Sequence, residues 1–236
     1  MVEHLAYTER VGGSSPSPPT IVMALAALVL ALMLSPPSRA RADEMRFSVV
    51  DLVVAGCKNA CPQAIAADGV IEPETPQAFI DFAKHAAQSP RLSAIVFLNS
   101  PGGNVVASME LGSIFRTLKV AAIVRQAGAR PGRGEASFTG QCISACVYAM
   151  MGGVKRVAPP GSRVGLHRMS IVERGLFTTT RSLADPPLVA ALSKYARKMG
   201  VDQGLVTAAE SQDPAIVHLL TRREMARWRL ATAQLN

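Results

Sequence analysis

The chain has 236 residues, which is enough for one domain of ordinary size with a hydrophobic core of its own. Its formal charge of +8 comes from 25 basic and 17 acidic residues, but the basic residues are scattered and are not interleaved with aromatic ones. Because scattered charge supplies only non-specific attraction, we do not expect a nucleic-acid-binding function. Aromatic residues make up 5% of the chain, so aliphatic side chains must build most of the interior.

The first feature along the chain is an unbroken apolar run of 14 residues at 21–34. The run has the length of a signal-peptide core and is short for a membrane span, which takes about 20 residues. Small residues at 40–42 predict cleavage by a signal peptidase at that point. A retained membrane anchor or translation from Met23 are the alternatives, because the leader before the run is long and carries two glutamates. We therefore predict a signal or anchor segment at 1–42 and one exported, periplasmic domain at 43–236.

Four cysteines form two C-x3-C pairs, and no odd cysteine is left over. In the oxidising compartment that an exported chain enters, an even set predicts disulfide bonds. Three connectivities are open, and bonds between the two pairs would tie the first strand to the turn around Ser144. The rival interpretation is a zinc ion held by four thiolates, which the spacing and the export disfavour, so no metal is predicted. The disulfide candidates are Cys57, Cys61, Cys142 and Cys146.

The apolar pattern of the exported part alternates between strand-like and helix-like segments. Capping signals mark three helix starts: Thr75 before a proline, Asn104, and a capping box that opens at Thr221. Such alternation predicts an α/β fold with a largely parallel sheet. In chain order we expect a strand at 47–54, a helix at 75–88, a strand at 94–98, a helix from 104 to about 118, a strand at 120–124, a loop at 126–141, a helix at 145–153, strands at 154–158 and 163–167, a loop at 173–183, helices at 186–199 and 202–211, a strand at 216–220 and a last helix from 221.

Three short motifs within this pattern carry chemistry. The sequence QCISAC places Ser144 at a predicted strand-to-helix turn, the glycine turn SPGG at 100–103 follows an earlier strand, and VGLH ends at His167. A serine hydroxyl is a weak nucleophile until a base takes its proton, and an imidazole titrates near neutral pH. A glycine turn can present backbone N–H groups to a developing oxyanion. If the three motifs converge, they form an acyl-transfer site.

In this order the motifs resemble the proteolytic subunit of the Clp protease and its exported relatives. The resemblance covers residues 47–230 and rests on FLNSPGG at 97–103, the serine turn, VGLH at 164–167, and the last strand and helix. It implies the ClpP/crotonase-like fold, a spiral of βαβ units, and a peptidase that works without a cofactor. It also leaves open a homo-oligomer, because neighbouring subunits often complete this fold.

The resemblance also assigns roles by position. It implies that Ser144 is the nucleophile and His167 the general base, and that the backbone amides of Gly103 and Ala145 form the oxyanion hole. Asp213 falls at the position of the third, acidic member. Glu210 is the second choice for the acid, whereas His4, His85 and His218 have no motif around them and are not expected to be catalytic.

The predicted function is an ATP-independent serine hydrolase, a peptidase with peptide or protein substrates. The loop at 126–141 and the segment after His167 differ from the Clp subunit, which argues against docking to an ATPase ring, and an exported enzyme would also lack ATP. A catalytically inactive binding scaffold on the same fold is the main alternative. A crotonase-type acyl-CoA enzyme ranks last, because an exported compartment lacks CoA.

Overall fold

The computed structural model describes part of the chain, and those residues belong to one compact unit. The predicted signal or anchor segment at 1–42 and residues 129–139 of the predicted loop at 126–141 lie outside the described residues. Within the described part, no helix is long and apolar enough to cross a membrane. The described residues are 44–52, Cys57, 60–128, 140–174 and 179–232.

Ten strands and six helices make up the described ranges. The strands are β1 (Arg46–Asp51), β2 (Gln63–Asp68), β3 (Leu92–Asn99), β4 (Ala121–Val124), β5 (Gly140–Ile143), β6 (Lys155–Val157), β7 (Ser162–Leu166), β8 (Ser170–Arg174), β9 (Thr179–Leu183) and β10 (His218–Leu219). The helices are α1 (Thr75–Ala86), α2 (Val105–Thr117), α3 (Ala145–Met151), α4 (Pro186–Lys198), α5 (Gly204–Glu210) and α6 (Arg222–Arg227).

The strands form one large sheet and two small ones. The five-stranded sheet has the order β1-β2-β3-β4-β6, and only its β1–β2 pairing is antiparallel. In the second sheet, β5 pairs in parallel with β7, and β10 pairs antiparallel with the other edge of β7. The strands β8 and β9 form an antiparallel pair. This arrangement confirms the predicted α/β class with a largely parallel sheet.

Two of the three predicted helix starts are confirmed. The Asn104 side chain accepts a hydrogen bond from the Ala107 N–H and caps α2, and Thr221 and Glu224 form the predicted capping box of α6. The start of α1 was predicted one residue too late. Its N-cap is Glu74, whose backbone is already helical, so Thr75 becomes the first helical residue and its hydroxyl accepts from the Glu72 N–H instead.

Three other predictions are corrected by the structure. The strand β2 was missed because its sequence, QAIAAD, is rich in alanine and lacks the β-branched residues that mark most strands. The strand β5 lies at the end of the predicted loop at 126–141, where a glycine begins a run of only four residues. The predicted loop at 173–183 falls within the β8–β9 pair, apart from residues 175–178, which lie outside the described ranges.

The helix α3 lies in the middle of the core, and all seven of its residues are buried. It packs against α2, and Gly112 of α2 allows a close approach, since a Cβ there would lie 2.9 Å from the Tyr148 carbonyl oxygen. At its C-terminal end the guanidinium groups of Arg116 and Arg156 donate to the carbonyl oxygens of Met151 and Gly153. Burial and the positive charge of Arg116 lower the pKa of Arg156 to about 10. These contacts fix α3 at one end, and its other end carries Ser144.

Candidate active site

Ser144 and His167 follow two neighbouring parallel strands and lie at the same edge of a sheet. The register of β5 and β7 pairs Ile143 with Gly165, and Ser144 and His167 follow these strands directly. The Ser144 N–H donates to the Gly165 carbonyl over 2.8 Å. Since paired strands lie about 4.8 Å apart, both residues stand at adjacent strand ends. Both are half-buried, so each remains open to solvent on one side.

The backbone of Ser144 adopts an uncommon conformation. Its φ is 56° and its ψ is −125°, a left-handed region that residues with a Cβ rarely occupy. Ser144 is the N-cap of α3, yet its side chain makes no capping hydrogen bond. The common explanation of a serine at a helix start, capping, therefore does not account for this residue. Strained residues of this kind cost about 1–3 kcal/mol and cluster at functional sites.

A disulfide bond brackets Ser144. The structure pairs Cys142 with Cys146, and both residues are fully buried. The bond joins the end of β5 to the first turn of α3 and so ties down both sides of the serine. Cys57 pairs with Cys61, which makes the connectivity local, so the crossed alternative is not formed. All four cysteines of the chain are used, which leaves no thiolate for the zinc alternative.

The glycine turn at 100–103 is held against the serine turn by backbone hydrogen bonds. The Ser100 N–H donates to the Gln141 carbonyl over 2.8 Å, and the Ile143 N–H donates to the Ser100 carbonyl over 3.1 Å. Gly102 has a φ of 111°, and a Cβ there would lie 3.0 Å from the Ser144 Cβ and 3.2 Å from the Ala145 nitrogen. The two turns therefore approach each other as closely as a glycine allows.

The amides of Gly103 and Ala145 have no backbone acceptor among the described residues. Ile71 bonds to the residues on either side of Gly103, through the Gly102 carbonyl and the Asn104 N–H. Ile71 therefore pairs with Gly103 through these two flanking groups, and the Gly103 N–H itself makes no backbone hydrogen bond to Ile71. The Ala145 N–H belongs to the first turn of α3, where amides lack helical partners. The Ala145 amide directly follows Ser144, and the oxyanion role of both amides stays a prediction.

The imidazole of His167 is oriented by the backbone. Its Nδ1 lies 2.7 Å from the Arg168 carbonyl oxygen. Since a carbonyl oxygen only accepts, Nδ1 carries the proton, and Nε2 of the neutral ring keeps its lone pair. No hydrogen bond between the described residues joins this ring to Ser144 or to a carboxylate. The ring is therefore in the tautomer that a general base requires.

The structure does not bring Asp213 to His167. Asp213 lies in an exposed turn, where its carboxylate accepts from the Ala215 N–H over 2.8 Å. The β10–β7 register pairs His218 with Leu166, and its extension by one residue places Val217 opposite His167. Val217 precedes β10, is exposed, and is apolar. The acidic role of Asp213 stays a prediction.

Glu210, the second choice for the acid, lies beside the segment that follows His167. Its Oε1 accepts from the Met169 N–H over 3.2 Å, and its Oε2 is 4.0 Å from the Arg168 Nε. The Glu210 side chain is 16% exposed. Burial, followed by the negative charge of Glu210, raises the pKa of Tyr148, which lies one helical turn after Ser144.

A cavity of about 510 Å³ opens beside the glycine turn, at the carboxyl ends of β2 and β3. The Asn99 amide organises its wall, since it donates to Asp68 over 2.9 Å and accepts from the Gln141 N–H over 3.0 Å. This role of Asn99 was not predicted, although Asn99 stands directly before SPGG at a strand end, where polar residues line clefts in parallel sheets. Arg46 and Gln126 also line the cavity.

Comparisons with known proteins bear on the fold. No protein-family model matches the chain, and no curated protein sequence matches it. A serine-to-alanine mutant of the 1510-N membrane-bound stomatin-specific protease matches with a TM-score of 0.50 and 18% identity over 73% of this chain and 77% of that chain. A lysine-to-alanine mutant of that protease, in complex with a substrate peptide, matches with a TM-score of 0.49 and 18% identity over 73% of each chain. The first likeness confirms the ClpP/crotonase-like fold that the motifs led us to expect.

Proposed function

We propose that the protein is an ATP-independent serine hydrolase, a peptidase that forms an acyl-enzyme on Ser144. The observation that carries the proposal is the left-handed backbone of Ser144, which the Cys142–Cys146 disulfide encloses at the strand end next to His167. Among the described residues the Ser144 hydroxyl caps no helix, so capping does not explain a serine in this strained conformation. Strained residues of this kind cluster at functional sites, which supports chemistry at the hydroxyl.

The reaction would begin with transfer of the Ser144 Oγ proton to Nε2 of His167. The serine oxygen attacks the carbonyl carbon of the scissile peptide bond, and the developing oxyanion accepts hydrogen bonds from the amides of Gly103 and Ala145. Each such donor lowers the barrier by about 3 kcal/mol. The imidazolium then gives its proton to the leaving amine, and a water molecule, activated by the same imidazole, hydrolyses the acyl ester.

The cavity beside the glycine turn supports a peptide or protein substrate. It lies next to Pro101, and its lining includes the amide side chains of Gln126 and Gln141. Two disulfides fit an exported, periplasmic protein, anchored or released at the segment 21–34, and such a protein acts without ATP. The fold also accommodates a homo-oligomer.

Digestion of a library of unstructured peptides tests this function. The purified protein is incubated without ATP, and new peptide termini are identified by mass spectrometry. We expect cleavage by the wild type and by His85→Gln, a control at the exposed histidine of α1, and none by Ser144→Ala or His167→Gln. Cleavage that survives Ser144→Ala would contradict the assigned nucleophile.

The inactive scaffold is the second candidate, and one observation favours it. Among the described residues no carboxylate forms a hydrogen bond with the His167 imidazole, whose Nδ1 contacts the Arg168 carbonyl oxygen instead. Folded wild-type protein that cleaves no peptide in the library would support the scaffold and direct attention to a binding partner.

A further inference from the structure

We propose that the peptide group between Arg168 and Met169 takes the place of the acid that normally supports a catalytic histidine, with Glu210 as the positioning residue behind it. This inference rests on the proposed function of Ser144 and His167. It assigns Glu210 a defined role, transmitted through a backbone amide rather than through direct contact with the imidazole.

The two hydrogen bonds involved belong to one peptide unit. The carbonyl oxygen of Arg168 accepts from the His167 Nδ1–H over 2.7 Å, and the N–H of the same unit, on Met169, donates to Glu210 Oε1 over 3.2 Å. In a planar trans peptide the C=O and N–H bonds point in opposite directions. The imidazole and the carboxylate therefore stand at opposite ends of one rigid dipole.

The carboxylate is placed so that its charge acts on this dipole. Glu210 is the last residue of α5, its side chain is largely buried, and its only cationic neighbour among the described residues, Arg168 Nε, is 4.0 Å away. That distance exceeds a hydrogen bond, and the Arg168 Nε is itself buried without a hydrogen-bond partner in the described ranges. The charge of Glu210 is thus only partly offset by its arginine neighbour.

A negative charge at the N–H end strengthens the bond at the C=O end. Hydrogen bonds in a chain polarise one another, and a bond to a charged acceptor is about twice as strong as one between neutral groups. The polarised carbonyl holds the imidazole in the Nδ1–H tautomer and stabilises the imidazolium that forms when Ser144 loses its proton. A carboxylate in direct contact does the same in a serine–histidine–acid triad.

The other candidates for the role of the acid do not supply a charge to the imidazole. Asp213 bonds to its own turn, and Val217 opposite His167 carries no charge. The peptide unit is the group that the described residues place on Nδ1.

The test compares Glu210→Gln with Asp213→Asn. Glutamine keeps an acceptor oxygen for the Met169 N–H and nearly the same volume, so it removes the charge without removing the contact. The rate at which a fluorophosphonate probe labels Ser144 is measured for each variant, together with its thermal midpoint. We expect Glu210→Gln to label about tenfold more slowly with an unchanged midpoint, and Asp213→Asn to label at the wild-type rate. Wild-type labelling by Glu210→Gln, or a larger loss in Asp213→Asn, would overturn the inference while the proposed function stood.

A second measurement does not depend on activity. NMR spectra of protein with ¹⁵N-labelled histidine and methionine report the His167 tautomer and the Met169 amide, which His167→Gln and Met169→Leu identify. We expect a protonated Nδ1 in the wild type, and an upfield shift of both the Nδ1–H and the Met169 N–H in Glu210→Gln. If the wild type is not labelled at Ser144, the proposed function fails, and these two shifts still decide the inference. A His167 signal that does not respond to Glu210→Gln would refute it.

Discussion

Replacing Ser144 by glycine is expected to stabilise the folded protein while removing the proposed nucleophile. The residue has a φ of 56° and a ψ of −125°, and its side chain makes no capping hydrogen bond. Glycine occupies this region without a steric penalty, so the substitution relieves strain and loses no contact of the hydroxyl within the described residues.

The size of the effect follows from two opposing terms. A residue with a Cβ in such a region destabilises the fold by about 1–3 kcal/mol, and glycine removes this cost. Glycine also lowers the stability by about 0.5–1 kcal/mol, because it gives the unfolded chain more conformational freedom. The net gain in the free energy of unfolding is therefore about 1 kcal/mol, equivalent to about 2–4 °C in the thermal midpoint of a domain of this size.

The assay compares Ser144→Gly with Ser144→Ala, because alanine also lacks the hydroxyl but keeps the strained Cβ. Calorimetry or urea unfolding should rank the glycine variant above the alanine variant, and neither should be labelled by a fluorophosphonate. Ser113 in the interior of α2 is the matched control, where the order must reverse, since glycine is about 1 kcal/mol worse than alanine in a helix. A Ser144→Gly variant no more stable than Ser144→Ala would refute the assigned strain.

Three further predictions concern the surroundings of the site and the last helix. In Gly102→Ala a new Cβ would lie 2.8 Å from the Ile143 carbonyl oxygen. We therefore expect the variant to lose about 2 kcal/mol in stability and to lose Ser144 labelling. Full labelling would contradict the proximity of the two turns. Replacing both Cys142 and Cys146 by alanine should cost about 2 kcal/mol in urea unfolding and slow labelling, whereas the same change at the other disulfide should leave labelling unaffected. Hydrogen bonds from Thr221, and then from His218, lower the pKa of Glu224 from 4.5 to about 2. The ionised Glu224 therefore stabilises the fold above pH 4.5, and this stabilisation, about 1 kcal/mol after allowance for partial exposure, is lost as the pH falls toward 2. The thermal midpoints of the wild type and of Glu224→Gln should therefore depend differently on pH, and the same dependence in both would contradict the prediction.

The sequence predicts the fold well where the signal is local. Alternating apolar runs and the caps at Asn104 and Thr221 indicate the α/β class, because each cap depends on residues within one helical turn. The strand β2 escapes prediction because its place between β1 and β3, not its alanine-rich sequence, makes it a strand. Tertiary pairing overrides a weak β propensity there.

For the candidate site, too, some contacts can be predicted from the sequence and others cannot. Motif order alone predicts that Ser144 and His167 approach each other, because both end strands of a parallel sheet. The β10 register that sets Val217 opposite His167, and the contact between Glu210 and the Met169 amide, join segments more than 40 residues apart in the sequence. Neither leaves a periodic or motif signal, so positional analogy points to Asp213 instead.

Active-site labelling tests the central claim, an activated serine at position 144, most directly. Folded protein with both disulfides formed is treated with a fluorophosphonate, and the adduct is located by mass spectrometry. We predict one adduct per chain on Ser144 and its absence in His167→Gln, with His85→Gln labelled like the wild type. A wild-type protein that stays unlabelled, or an adduct on Ser144 that persists in His167→Gln, would contradict the claim.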